Sequence, residues 1–246
     1  MKLLELFVTE TTEEDRALVP LSSAIYKTLI QPQIDTDIDY TDEDRELLKL
    51  GKIGDHFDTP FTNLNDINIE IQGGVPFTKR IVGLSDPTRM ILAAWDYDTN
   101  SIVFNQDYLD ADRIPTVVTH ELRHALDDKK SNGKAGHPDN AYARPRKREY
   151  ARDKEESYKA RRDEINARFT EVMHIMMNLI PKRIARYGSD NIMPQLQRDL
   201  NALLMKYEIL QYFPERTASP DFKRLIKRAM DMITKELNHI ASQQSK

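Results

Sequence analysis

Apolar positions in this 246-residue chain change period twice along its length, from helical to strand-like and back. Leu18, Leu21, Ile25 and Leu29 recur at the helical spacing and predict a helix in the first thirty residues, with Pro20 starting or kinking it. Leu47, Leu48 and Leu50 predict a second helix after Thr41 that stops at Gly51. Neither stretch carries residues suited to chemistry. From about Asn65 to Asn105 short runs rich in Ile and Val, at 67–71, 80–84, 89–95 and 101–105, are separated by turn residues. Four short strands follow from that texture, with 96–100 as a hairpin turn, and together they predict a small, mostly antiparallel sheet.

An apolar-led helix over Thr116–Asp128 comes next, and then a stretch at 129–148 rich in Gly, Pro, Asn and Lys/Arg that predicts a long exposed basic loop. Beyond it the pattern is helical over about 149–186, 190–212 and 219–243. Tyr158, Ile165, Phe169, Val172, Met176 and Leu179 form the apolar stripe of the first of these. The expected fold class is therefore α+β, in three parts. Residues 1–128 form an α/β upper subdomain, 129–148 an exposed basic loop and 149–246 a helical lower subdomain.

Composition narrows the chemistry. With no cysteine there is no disulfide, thiol nucleophile or thiolate metal site, so a bound metal must sit on His, Asp or Glu. No apolar run reaches the roughly 18 residues that span a bilayer, and no secretion signal is read at the start, so a cytoplasmic or virion-associated product is expected. The net charge of −4 hides a division. Residues 1–128 hold 11 basic and 25 acidic side chains, net −14, whereas 129–246 hold 25 and 15, net +10. Two halves of opposite sign attract each other or, alternatively, the basic half meets an external polyanion. The basic run 144–148 has no interleaved aromatics, which argues against a nucleic-acid platform.

The helix at 116–128 contains His120-Glu121-Leu122-Arg123-His124, an HExxH sequence. Residues four apart share a helix face, so both imidazoles reach one Zn²⁺ with Glu121 beside it. A third ligand and an open position for water complete a catalytic zinc site, in which a zinc-bound water attacks a carbonyl and Glu121 serves as general base.

On this motif, and on the order strand, HExxH helix, loop and later helix over about Ile102 to Arg168, the chain resembles the zincin metallopeptidases. The resemblance implies a zincin-like small sheet with the active-site helix below it, a zinc cofactor and a protein or peptide substrate. The short opening MKLLELF also looks like that of phage-encoded proteins. Arg123 stands where the family usually has an uncharged residue. Asp127 and Lys130 replace the further Gly and His of metzincins, which excludes that branch, and a resemblance to gluzincins implies a Glu from a downstream helix as third ligand.

The available residues are Glu149, Glu155, Glu156, Glu164 and Glu171, and Glu164 is favoured because Ala160 and Ala167 give its face a close approach. Asp127 or Asp128 remains open as a supporting carboxylate or as an alternative third ligand. The family often has an acidic residue four after the ligand Glu; here it is Arg168, which would hold a substrate carbonyl or pair with an acidic group. An oxyanion-stabilising group would come from Tyr158, or from His137, Tyr142 or Tyr150. The strand at 101–105 is the expected substrate-aligning edge, and the loop 129–148 a lid. The rival expectation is a structural or virion-associated protein on a zincin scaffold without hydrolytic activity; a third keeps the metal and takes cell-wall peptide as substrate.

Overall fold

In the computed structural model the described residues are 11–34, 47–73, 77, 91–108, 113–130, 162–189, 192–213 and 219–244. They contain helices α1 (Thr11–Ile25), α2 (Gln31–Ile34), α3 (Ile53–His56), α4 (Ile114–Lys130), α5 (Arg162–Tyr187), α6 (Ile192–Lys206) and α7 (Pro220–Gln244). The strands are β1 (Leu48–Lys52), β2 (Asn68–Gln72), β3 (Ala93–Asp96) and β4 (Ser101–Asn105). The fold is α+β, with a small mixed four-stranded sheet and mostly helical content among the described residues. Two compact units divide the chain, one of residues 20–144 and the other of 1–19 with 145–246.

The unit of residues 20–144 contains the sheet, in the order β1-β2-β4-β3. It is mixed: β1–β2 and β3–β4 pair antiparallel, but the central β2–β4 pair is parallel. Ile69 faces Ile102 and Ile71 faces Phe104 across that pair, and all four are buried. Such matched β-branched and aromatic neighbours fix the register, since a one-residue slip would turn them to the other face. The turn at 97–100 joins β3 to β4 as expected. Asp96 accepts from the Asp98 N–H at 3.2 Å and the Thr99 hydroxyl at 2.7 Å, and Asn100 takes a positive φ of 55°.

Two expectations are corrected here. Leu48 and Leu50 belong to strand β1 and not to a helix, because Leu48-Lys49-Leu50 also alternates with period two and β2 supplies the hydrogen bonds. Gly51, with φ of 101°, sits where the register shifts; a Cβ there would stand 2.6 Å from His56 Nε2. The segment 101–105 is an interior strand, buried at every residue, and the edges among the described strands are β1 and β3. The expected strand at 80–84 and residues 41–46 lie outside the described residues.

α1 continues through Pro20, whose ring is exposed, and widens into a π-helical turn at Tyr26–Ile30. Leu18, Leu21, Ile25 and Leu29 are all buried, as their spacing implied. α4 packs against β3 and β4 and buries Val118, Leu122, Ala125 and Leu126 completely. It begins with Pro115 near its first turn, where a missing N–H is harmless, and runs two residues beyond the expected end. Lys129 and Lys130 extend it because cations suit a helix C-terminus, and Lys129 reaches Asp66 at 3.1 Å. The rest of the expected loop lies outside the described residues.

The other unit is helical. Phe169, Val172, Met173 and Met176 of α5, Leu196, Leu200 and Leu204 of α6, and Ala229, Met232 and Ile233 of α7 form one core. Asp15 is fully buried in it and accepts from Arg228 Nε at 2.7 Å and from the Thr170 hydroxyl at 3.0 Å. Arg228 also donates to Asn166 at 2.8 Å and lies 4.6 Å from the Phe169 ring centroid. Among the described residues no helix is long and apolar enough to cross a membrane.

Candidate metal centre

α4 sets out the HExxH residues as the helical repeat requires. Thr119, one residue before the motif, is buried and bridges Ser22 Oγ at 2.7 Å and the Pro115 carbonyl at 3.0 Å, which ties this turn of α4 to α1. His120 and His124 then lie on one face, each partly buried, with ring centroids 4.7 Å apart and rings inclined at 75°. Their Nε2 atoms are 3.1 Å apart. Two nitrogen ligands at ~2.0–2.1 Å from a tetrahedral zinc stand about 3.3 Å apart, so the rings are set as a ligand pair would be.

Glu164 is in the first turns of α5 and is 2% exposed. His120, His124 and Glu164 each offer one ligand atom, and these atoms lie within 4.8 Å of one another. The three form a group that could hold a metal ion. Two imidazoles and one carboxylate are a donor set suited to zinc and to other first-row ions. Among the described residues Glu171, Asp127 and Asp128 are not in this group, and Glu149, Glu155 and Glu156 lie outside the described residues.

Glu121 is buried, and its Oε2 accepts the backbone N–H of Trp95 at 2.8 Å. No sequence pattern signals this contact, since the donor is main chain on β3. The Trp95 side chain is half-buried; what this residue brings to the site is its peptide nitrogen. The Leu92 carbonyl accepts from Asn105 of β4, so the alternation of the strand turns the Trp95 N–H away from β4 and toward α4.

Arg123 is buried at 2% exposure and donates through Nε to Asp127 Oδ2 at 3.1 Å, with a second guanidinium nitrogen on Oδ1. This bidentate pair accounts for the departure at Arg123, and it engages the carboxylate read as a ligand support. The i,i+4 spacing of Arg123 and Asp127 was a signal for the pair in the sequence itself.

Arg168 does not stand apart from the site. Its Nε donates to Glu164 Oε1 at 2.8 Å. Burial works against its charge, but Glu164, with Tyr212 and Glu208, raises its pKa above the ordinary guanidinium value. Tyr158, the candidate oxyanion group, lies outside the described residues, as do His137, Tyr142 and Tyr150. His56 bonds the Leu50 carbonyl at 3.0 Å and His174 is buried in α5, so each has a structural place.

Comparison with known protein families, with curated proteins and with solved structures finds no match to this chain.

Proposed function

We propose that this protein is a zinc-dependent metallopeptidase of the zincin type, with His120, His124 and Glu164 as metal ligands and Glu121 as general base. The observation that carries the reading is the convergence of three ligand atoms, two of them from one HExxH helix. His120, His124 and Glu164 would hold the ion, and a zinc bound there would supply polarisation of a carbonyl and a water of pKa about 7.

The chain's own residues do the rest. Glu121 accepts a proton from water as the oxygen adds to the carbonyl carbon, and returns it to the amide nitrogen as the C–N bond breaks, giving one carboxylate and one amine. The Trp95 N–H orients the Glu121 carboxylate for this transfer. The edge position of β3 supports an extended peptide lying along it and bonding to its main chain, so a protein or peptide is the substrate class. Arg123, which stands where the zincins usually have an uncharged residue, has its account in the Asp127 pair.

Glu121→Gln separates binding from chemistry. Zinc content is expected to stay at that of the wild type while cleavage of a fluorogenic peptide library falls by about 10²–10⁴-fold, the usual contribution of a general base. Retained cleavage in that variant would contradict the mechanism.

A further inference from the structure

The geometry points to Arg168 as a positioning residue for the metal ligand Glu164, holding one carboxylate oxygen so that the other serves the ion. The inference rests on the ligand set proposed above.

Arg168 lies one helical turn after Glu164 on α5 and reaches back to it, Nε to Oε1, at 2.8 Å. An exposed i,i+4 pair of this kind holds a carboxylate only loosely, because both side chains are free to move. Here neither end is loose. The Glu164 side chain is 3% exposed and that of Arg168 is 21% exposed. The guanidinium is also anchored from the far side: its NH1 donates to the Tyr207 carbonyl at 3.4 Å and stands 3.8 Å from Glu208 Oε2.

That anchor is itself well defined. Tyr207 and Glu208 follow the C-terminus of α6, where the last carbonyls of a helix have no partner within the helix. Glu208 adopts a left-handed φ of 59°, which ends α6 and turns the Tyr207 carbonyl and the Glu208 carboxylate to the same guanidinium. Arg168 is thus fixed by a turn independent of Glu164, and it passes that constraint to the ligand. A charge-assisted bond to Oε1 disfavours chelation through both oxygens and sets the carboxylate as a single-oxygen donor. A lysine would retain the charge but not the planar fork that reaches Glu164 and Tyr207 together.

The test is competition of purified wild type, Arg168→Ala and Arg168→Lys with a chromophoric chelator for zinc, together with the visible absorption of each protein loaded with cobalt(II). Outer partners of metal ligands typically contribute 10–100-fold in affinity, so Arg168→Ala is expected to bind zinc about 10–100-fold more weakly, with shifted cobalt bands. Arg168→Lys is expected to recover part of the affinity and of the spectrum. Should Arg168→Ala fail to fold, Arg168→Lys carries the test alone, with intermediate affinity and altered bands expected. Wild-type affinity and an unchanged cobalt spectrum in the folded variants would overturn the inference while leaving the ligand set intact. Absence of zinc binding by the wild type would overturn the ligand set and this inference with it.

Discussion

His174 shows at one residue how burial becomes a dependence on pH. Its imidazole is 1% exposed within α5, and burial pulls its pKa from 6.5 down to about 4 against an opposing effect of Glu171. The folded protein therefore keeps the ring neutral at pH values where the unfolded chain protonates it. This contribution to stability is fully present above pH 6.5 and is lost as pH falls toward 4, by on the order of 3 kcal/mol. Urea unfolding of the wild type and His174→Leu at pH 7, 5.5 and 4 checks the sign, because carboxylate titration is common to both proteins. The wild type is expected to lose more stability than the variant between pH 7 and 4; parallel losses would contradict the assignment.

At this same scale His120, Glu121 and His124 were legible in the sequence because their spacing is the helix period, and Glu164 because of its small neighbours. Arg123 and Asp127 were read singly although their spacing makes them a pair. The Trp95 N–H was not legible at all, since main-chain donors carry no sequence signature.

Elements were legible where one period dominated. Segments α4, α5 and β4 satisfy a single pattern, whereas Leu47-Leu48-Lys49-Leu50 fits both a helix and a strand, and only pairing with β2 decides between them. The parallel β2–β4 pairing and the edge position of β3 depend on which strands meet, and local patterns do not encode that. The tie among α1, α5 and α7 was equally hidden: Asp15, Asn166, Thr170 and Arg228 are far apart in sequence and polar, yet they are buried together. A buried pair stripped of one partner leaves an uncompensated charge, so Asp15→Asn is expected to destabilise the protein by about 3–5 kcal/mol. Chemical denaturation measures this directly, and a loss below about 1 kcal/mol would mean that Arg228 finds another acceptor.

For the whole molecule, residues 1–19 join 145–246 in one helical unit and residues 20–144 form the other, a division that no contrast in composition marks. Part of the charge contrast is spent inside the helical unit, where Asp15 of the acidic stretch meets Arg228 of the basic one. Fold alone does not assign an activity, and the functional account stands on the chemistry of one ligand set. Its central claim is that His120, His124 and Glu164 hold one ion together. Elemental analysis of wild type, His124→Ala and Glu164→Ala, each purified without chelators and supplied with zinc, tests that claim most directly. About one zinc per wild-type chain, lost in both variants, is the result predicted from three ligands on one ion. A wild type without zinc, or a Glu164→Ala protein that retains it in full, would contradict the account.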